Sequence, residues 1–198
     1  MIDGPLRKAT RLWVDGVAKV LMRLGAKPNI LSGIAIPFAI FGAYLIATQQ
    51  FLSASLVVFI ASIVDALDGA IARLKKSEGV YGSYLDAMID RVVEIIIFAG
   101  IFFLYPLAAY FAISGSTLIS YAKARAAMVA KIGNRDMPAI GERGDRLTIL
   151  ILGLFVAGFL PTRLGFSLVE TVTWVIAGAA MLGSLQRFLQ MRRFLKKS

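Results

Sequence analysis

Six long runs of apolar residues constrain the fold of this chain more than any other feature of its sequence. They cover approximately residues 29–48, 52–72, 83–104, 105–122, 147–162 and 166–186. A helix needs about 20 mostly apolar residues to cross a bilayer core about 30 Å thick. The third and fourth runs are nearly continuous, and we place the break at Tyr105-Pro106, because proline removes a backbone donor and disfavours helix at the preceding residue. We therefore expect an all-α integral membrane protein with six transmembrane helices.

The composition agrees with a membrane protein and excludes several kinds of chemistry. Of the 198 residues, 58% are hydrophobic and 17% are charged, and 22 Lys and Arg against 12 Asp and Glu give a formal net charge of +10. An average soluble domain carries about 25% charged residues, so a water-soluble globular domain is excluded. The sequence has no Cys and no His, which excludes disulfide scaffolds, Cys/His zinc sites, thiol nucleophiles and Ser-His-Asp triads. Any transfer chemistry must use carboxylates, hydroxyls, amines or a bound metal.

Residues 1–27 precede the first apolar run and have an amphipathic pattern. Basic residues are spread through this segment, so we do not expect a cleaved signal peptide. We predict a juxtamembrane helix on the membrane surface, with an apolar face toward lipid or protein that consists of Leu6, Trp13, Val17, Val20, Leu21 and Leu24. The expected organisation is an amphipathic helix at 1–27 followed by one six-helix domain at 28–198.

The distribution of basic residues predicts the orientation in the membrane. Six spans place both termini on one side, and that side has six Lys and Arg before the first span, nine in or beside two loops, and five after the last span. Arg91 lies within the third span, and Arg163 alone falls on the far side. Because cytoplasmic loops carry an excess of Lys and Arg, we expect both termini in the cytoplasm and the protein in the cytoplasmic membrane. The expected partners are membrane lipids, and no nucleic acid is expected.

Four aspartates lie inside the second and third apolar runs, where charge is costly. Each charged side chain at mid-bilayer costs about 2.5 to 3.5 kcal/mol, which indicates a function. Asp65 and Asp68 are three residues apart on one helix, and Asp86 and Asp90 are four apart on the next, so each pair shares a helix face. If the two helices run antiparallel and are joined by a turn near residue 77, position 65 lies opposite position 90, and position 68 lies opposite position 86. We expect the four carboxylates to meet at one level near the cytoplasmic end.

Four neighbouring carboxylates need protonation or bound cations to offset their repulsion. Two divalent cations neutralise four aspartates, and oxygen ligands suit Mg²⁺ or Mn²⁺. Paired metals of this kind stabilise the entering and leaving oxygens of a phosphoryl displacement. Two alternatives are buried salt bridges to Arg73 and Arg91, and an ion or proton pathway in a transporter. The pathway is disfavoured because no ladder of ionisable residues continues across the far half and no inverted repeat is visible.

The spacing between the aspartates follows a specific pattern. From Asp65 the sequence reads D-A-L-D-G-A-I-A-R, then eight residues, then G-S-Y-L-D-A-M-I-D. This stretch resembles the signature of the CDP-alcohol phosphotransferases, which is D-x-x-D-G-x-x-A-R, eight residues, G-x-x-x-D-x-x-x-D. The K-P-N-x-x-S entry to the first span, at 27–32, resembles another element of that family. Every specified position of the signature is matched, by Asp65, Asp68, Gly69, Ala72, Arg73, Gly82, Asp86 and Asp90.

The resemblance implies transfer of a phosphate-linked group from a CDP-lipid donor to an alcohol, with CMP leaving. It implies that Asp65, Asp68, Asp86 and Asp90 hold two Mg²⁺ ions, or Mn²⁺, and that Asp90 also acts as general base on the acceptor hydroxyl. Family members form homodimers, so a homodimer is expected. The donor-binding residues that it implies are Asn29, Ser32, Gly69, Arg73, Gly79 and Gly82.

Two basic elements bear on the acceptor. The stretches S-Y-A-K-A-R-A at 120–126 and G-E-R-G-D-R-L at 141–147 resemble elements of one family branch, the bacterial phosphatidylinositol phosphate synthases and the archaeal archaetidylinositol phosphate synthases. The acceptor of that branch is inositol 1-phosphate, a phosphorylated polyol. Glycerol 3-phosphate or another alcohol is the alternative acceptor, and the lipid tails are left open. The acceptor-binding candidates are Lys123, Arg143, Arg146, Arg192 and Arg193, each of which has the alternative role of a positively charged anchor at the membrane surface.

Overall fold

A computed structural model gives the architecture of the chain and describes residues 5–23, 28–74, 80–130 and 137–195. Within these ranges the chain forms helices and no strand, which confirms the expectation of an all-helical protein. The predicted turn near residue 77 lies outside the described residues. The helices are α1 (Pro5–Arg23), α2 (Pro28–Ala47), α3 (Phe51–Leu74), α4 (Val80–Phe102), α5 (Pro106–Ala130), α6 (Arg143–Ala157) and α7 (Thr162–Leu195).

Several helix ends follow directly from the sequence. Pro28 begins α2 and Pro106 begins α5, positions where the missing N–H of proline has no helical partner to lose. Because α4 ends at Phe102, the predicted break at Tyr105-Pro106 is present. Helices α5 and α7 continue past the predicted ends of their spans, at 122 and 186, to Ala130 and Leu195. Hydropathy marks the apolar part of a helix, whereas backbone hydrogen bonding continues into its basic end.

Two helical segments of the described residues are long and apolar enough to cross a membrane, Phe51–Ile71 and Thr162–Leu195. Gly33–Ala47 is a shorter apolar helical segment. Charges lower the hydropathy of other helices, as in α4, which carries Asp86, Asp90, Arg91 and Glu94. The number of six spans therefore stays a prediction.

The N-terminal helix α1 packs against α3. Ala18 is buried in a small cluster with Leu67, Ala70 and Ile71 of α3. Val17 and Leu21, two members of the predicted apolar face, pack against this cluster, whereas Val20 is exposed. The side chains of Leu6, Trp13 and Leu24 lie outside the described part of the chain. Part of the face therefore contacts protein, and the position of α1 on a membrane surface stays a prediction.

Small residues allow close contact between helices of the main core. A Cβ atom at Gly100 of α4 would lie 2.4 Å from the carbonyl oxygen of Ala43 on α2. Two contacts show that α5 and α7 run parallel. The Phe111 ring of α5 lies beside the Trp174 ring of α7, and farther along both helices the Ile119 carbonyl accepts a hydrogen bond from Arg187. Close backbone approach at small residues is typical of helix packing in membranes.

The segment 137–142, which leads into α6, is fixed to α7. A Cβ atom at Gly183 of α7 would lie 2.1 Å from the carbonyl oxygen of Ile140, so only glycine fits there. Gly141 has a φ of 69°, which is strained for other residues. The hydrogen bonds to α7 join the Ile140 N–H to Gln186 (3.0 Å), the Met137 carbonyl to Arg187 (3.3 Å), the Glu142 carboxylate to Arg187 (2.9 Å) and the Pro138 carbonyl to Gln190 (3.0 Å). Helix α7 thus holds the segment that leads into α6 in place.

Candidate active site

Three of the four signature aspartates bring their carboxylates together where α3 and α4 adjoin. One carboxylate oxygen from each of Asp65, Asp68 and Asp86 lies within 4.8 Å of the other two. Asp68 is buried, Asp65 is half-buried and Asp86 is exposed, so the group is accessible from one side. Carboxylate oxygens at this spacing fit a hard divalent cation such as Mg²⁺ or Mn²⁺.

Asp90 joins this group through Arg143, the first residue of α6. The Arg143 guanidinium donates to both oxygens of Asp65, at 2.8 and 3.3 Å, and also forms an ion pair with Asp90. Asp65 and Asp90 therefore face each other across α3 and α4. We call the ion pair between Asp90 and Arg143 the upper pair.

Arg143 is held as a cation by these aspartates. It precedes the predicted span that begins at 147. Burial lowers the pKa of its guanidinium, but the nearby Asp65 and Asp90 carboxylates raise that pKa by more. Among the described contacts, Arg143 pairs with Asp65 and Asp90, whereas Arg91 pairs with Glu94 at 2.5 Å. The side chain of Arg73 lies outside the described part of the chain.

A second ion pair, which we call the lower pair, lies one helical turn farther along α4 and α6. Arg146 donates through Nε to Glu94 at 2.7 Å, and its guanidinium also donates to the Gly141 carbonyl. Arg146 is 1% exposed and Glu94 is 2% exposed. Arg146, an acceptor-binding candidate from the sequence, thus has its guanidinium buried and held by Glu94 in this structure. Sequence reasoning missed Glu94, whose signal is its position four residues after Asp90 on the same helix face.

The remaining acceptor candidates lie on α5 and α7. Lys123 is half-buried on α5 and interacts electrostatically with Arg187 and Glu142. Arg192 and Arg193 are exposed in the last turn of α7. Sequence reasoning missed Arg187, which is buried and donates to the Ile119 carbonyl at 2.5 Å and to Glu142 at 2.9 Å. Its position directly after an apolar run gave no signal beyond that of a membrane-surface charge.

The predicted donor-binding residues lie on α2, α3 and α4. Gly69 is half-buried on α3, and Gly82 lies near the start of α4, where a Cβ atom would meet no atom within 4 Å. Gly82 thus borders open space rather than a tight helix contact, which favours the approach of a ligand to the backbone. Asn29 and Ser32 lie on α2, with side chains outside the described part, and Gly79 lies outside it entirely.

A cavity of about 510 Å³ opens beside the upper pair, between α3, α4 and α6. Asp65, Asp90 and Arg143 line its charged part. A charged end joined to an apolar part suits an amphiphile that has a charged head and a hydrocarbon tail, provided that cations bound by the aspartates neutralise an anionic head. The other lining residues, most of them apolar, are Phe59, Ser62, Gly144, Leu147, Thr148, Ile151 and Leu152.

Comparisons with known proteins find relatives over most of the chain. Residues 26–189 match the family model described as CDP-alcohol phosphatidyltransferase. The archaetidylinositol phosphate synthase of Pyrococcus horikoshii is 28% identical over 176 residues, which cover 86% of this chain and 89% of that protein. The phosphatidylinositol phosphate synthase of Mycolicibacterium smegmatis is 31% identical over 186 residues, which cover 89% of this chain and 82% of that protein.

Crystal structures of the phosphatidylinositol phosphate synthase of Mycobacterium tuberculosis have a similar fold. The structure with CDP-DAG bound superposes with a TM-score of 0.77 at 26% sequence identity and covers 90% of this chain and 92% of that one. The complex with manganese and citrate has a TM-score of 0.78 at 26% identity and covers 90% of this chain and 88% of that one. The similar structures therefore include one with a CDP-lipid and one with a divalent cation.

Proposed function

Because this chain belongs to the CDP-alcohol phosphatidyltransferase family and is therefore an enzyme, we propose that it transfers a phosphatidyl or archaetidyl group from a CDP-lipid to a hydroxyl of inositol 1-phosphate, releasing CMP. The observation that carries this proposal is the cavity, whose lining is charged at Asp65, Asp90 and Arg143 and apolar elsewhere. With divalent cations held by the aspartates, the charged end would accept the anionic diphosphate of a CDP-lipid, and the apolar part would accept its hydrocarbon tail. Because the family is one of enzymes, we set aside the alternative of a transporter. Glycerol 3-phosphate or another alcohol is the second candidate acceptor.

We propose two Mg²⁺ ions, replaceable by Mn²⁺, as the cofactors of the reaction. Asp65, Asp68 and Asp86 would hold them, with Asp90 completing the second site. The oxygens of Asp65, Asp68 and Asp86 fit this role by type and spacing. When bound, the ions neutralise the diphosphate and the charge that develops on the leaving CMP. Asn29, Ser32, Gly69, Arg73, Gly79 and Gly82 are proposed to bind the donor.

The proposed reaction is one direct displacement at phosphorus. Asp90 accepts the proton of the acceptor hydroxyl while its oxygen bonds to the phosphorus that carries the lipid, and the bond from that phosphorus to the CMP oxygen breaks. No covalent enzyme intermediate is expected, since the chain has no Cys and no His. Arg143 and Lys123 are the proposed ligands of the acceptor phosphate, with Arg192 and Arg193 as further candidates, because a guanidinium matches phosphate geometry.

We propose that the protein is a homodimer of the cytoplasmic membrane with six spans and both termini in the cytoplasm. The support for the orientation is the concentration of Lys and Arg at the termini and in the two loops on that side, and the homodimer is proposed from the family resemblance alone. The proposed organisation remains a surface helix at 1–27 followed by a six-helix domain at 28–198. Acceptor and nucleotide would then enter from the cytoplasm, while the lipid tail stays in the bilayer.

The test is CMP release by the purified protein in detergent micelles that contain a CDP-lipid and Mg²⁺. We expect inositol 1-phosphate to support release, and chelation of the metal to abolish it. Parallel assays with glycerol 3-phosphate, free inositol and serine identify the acceptor, and CDP-diacylglycerol against its archaeal ether counterpart identifies the tail. Release with another acceptor and none with inositol 1-phosphate would refute the proposed acceptor.

Gly144→Leu should block the cavity while leaving the fold intact. Gly144 lines the cavity beside Arg143, and a Cβ atom there would meet no atom within 4 Å. We expect turnover to fall about 10-fold to 100-fold, because small displacements of a bound substrate carry losses of this size. The matched control is Gly178→Leu, since Gly178 of α7 also has open space around its Cβ position but does not line this cavity. Equal turnover of the two variants would contradict the placement of the donor.

A further inference from the structure

A second cavity, of about 520 Å³, opens between the C-terminal halves of α5 and α7, and we call it the interhelical groove. It shares no lining residue with the cavity beside the upper pair. Its walls include exposed apolar and aromatic side chains, which are Leu118, Tyr121 and Val129 of α5 and Leu185, Phe188 and Leu195 of α7. The groove is thus an open, mostly apolar surface that no described part of the chain covers.

The groove crosses the expected edge of the bilayer core on the basic side of the protein. Helices α5 and α7 run parallel, and both continue past the predicted ends of their spans, at 122 and 186. Leu118 and Leu185 lie before those ends, whereas Val129 and Leu195 lie beyond them. One end of the groove therefore faces hydrocarbon and the other faces the polar headgroup layer. An occupant that fits both ends has an apolar part and a polar part.

The charge of the groove specifies the polar part of its occupant. The described residues that line it include two arginines and no acidic residue. The Arg187 guanidinium is buried and donates to two backbone carbonyls and to Glu142. Arg125 is exposed and forms no ion pair with another described residue. Its guanidinium is therefore available to an anion, and a phosphate matches its paired donors.

We propose that the interhelical groove binds an anionic phospholipid of the surrounding membrane, with the phosphate on Arg125 and a hydrocarbon chain against Leu118 and Phe188. Tyr121 lies four residues before Arg125 on the same face of α5, so its hydroxyl can donate to the same headgroup. Tyrosine is typical of protein surfaces at the headgroup level of a membrane. The site thus supplies a cation, a hydroxyl and an apolar surface in the order in which a phospholipid needs them.

The groove differs in charge from the cavity proposed for the donor. That cavity contains Asp65 and Asp90, so an anionic lipid needs bound cations there, whereas the groove accepts an anionic headgroup directly. A zwitterionic lipid carries its own cation beside the phosphate, which weakens the attraction to Arg125. The groove therefore distinguishes lipids by the net charge of the headgroup.

The first experiment places a tryptophan in the groove. Phe188→Trp is made together with Trp13→Phe and Trp174→Phe, which remove the two native tryptophans. The protein is reconstituted in phosphatidylcholine vesicles without Mg²⁺, nucleotide or acceptor, and brominated phosphatidylglycerol or phosphatidylcholine is added, since bromine quenches tryptophan fluorescence on contact. We expect phosphatidylglycerol to bind about tenfold more tightly than phosphatidylcholine, the factor that one hydrogen bond to a charged group contributes. Equal quenching by the two lipids would overturn the proposal.

The control probe is the native Trp174, kept in a chain that carries Trp13→Phe alone. Trp174 is 41% exposed on the same helix and lies 14 residues before Phe188, about 21 Å away along the axis. The two lipids should quench it equally. The same preference for phosphatidylglycerol at Trp174 would show a general attraction of anionic lipid to a basic protein and would overturn a site at the groove.

Two pairs of variants of the groove probe test the headgroup and the hydrocarbon chain. Arg125→Gln should abolish the preference, whereas Arg23→Gln, at an exposed arginine in the last turn of α1, should keep it. Ala122→Leu fills part of the groove and should lower quenching by both lipids. The matched control is Ala124→Leu, at an exposed position of α5 that does not line the groove. A preference that survives Arg125→Gln would overturn the proposal.

Two further outcomes would identify a different occupant and overturn the proposal. Loss of the preference when inorganic phosphate is added at constant ionic strength would show that the groove binds a free anion. Absence of quenching by either lipid would show that protein, such as a second copy of the chain, covers the groove.

If the probe variants do not fold, native mass spectrometry of the unaltered protein decides. From an equimolar mixture, we expect about tenfold more bound phosphatidylglycerol than phosphatidylcholine, and equal amounts would overturn the proposal. These assays contain no CDP-lipid. Failure of the proposed function therefore shows in CMP release, whereas failure of the groove as a lipid site shows in the lipid preference.

Discussion

Asp90→Asn is expected to lower turnover with inositol 1-phosphate by about 10² to 10⁴, the usual range for the loss of a general base. The amide keeps the shape of the side chain but has almost no proton affinity, and it no longer pairs with Arg143 as an anion. Donor affinity should fall less than turnover, because Asp65, Asp68 and Asp86 still bring three carboxylates together. The measurement is initial CMP release together with equilibrium binding of the CDP-lipid.

A matched control for this variant is Asp145→Asn. Asp145 lies in the first turn of α6 and accepts a hydrogen bond from the Glu142 N–H at 3.2 Å, which an asparagine oxygen also accepts. We expect this control to keep most of its turnover. Near wild-type turnover of Asp90→Asn with inositol 1-phosphate, glycerol 3-phosphate and the simple alcohols would show that Asp90 is not the base.

Glu94→Leu is expected to lower the free energy of unfolding by about 3 to 5 kcal/mol, the usual cost of removing one partner of a buried ion pair. The substitution leaves the Arg146 guanidinium, 1% exposed, with the Gly141 carbonyl as its remaining hydrogen-bond acceptor among the described contacts. Arg91 also loses its partner, but its side chain is 30% exposed and can turn toward water. The measurement is the midpoint of unfolding in a denaturing detergent titration.

Two further variants distinguish the effect of losing the ion pair from the effect of introducing a leucine. Glu170→Leu places the same residue at an exposed position of α7 and should change the midpoint little. The double variant Glu94→Leu with Arg146→Leu should recover much of the lost stability, because two apolar residues often replace a buried ion pair at little cost. A double variant less stable than Glu94→Leu would contradict this account.

The arrangement of the aspartates was predictable because it depends on local geometry. Two helices joined by a short turn must run antiparallel, and the positions 65, 68, 86 and 90 are symmetric about residue 77. The structure brings Asp65, Asp68 and Asp86 together and places Asp90 opposite Asp65. The start of α5 at Pro106 was predictable for a similar reason, since proline acts on its own backbone and on the residue before it.

The partners of these aspartates were not predictable, because they come from distant parts of the chain. Arg143 contacts Asp65 across 78 positions of sequence, and Arg146 contacts Glu94 across 52. Both arginines lie on one face of α6, so the sequence did not show which of them reaches the carboxylates. Whether Arg143 or Arg146 reaches them depends on the position of α6 along the axis of α4. The hydropathy of the sequence does not specify that position to within one helical turn. The contacts of Arg187 with Met137 and Glu142 were not predictable for the same reason, since they depend on how residues 137–142 pass over α7.

The upper and lower pairs together give α6 a single alignment beside α4. An ion pair needs its partner at one position along the helix, whereas apolar side chains accept more than one apolar neighbour. A slide of α6 by one turn, about 5.4 Å, would bring Arg146 beside Asp90 and leave Glu94 facing Ile149 or Leu150. Glu94 would then be a charge among hydrocarbon, which makes the shifted alignment unstable. The two pairs thus encode the register of this helix pair, as a single polar residue does in a coiled coil.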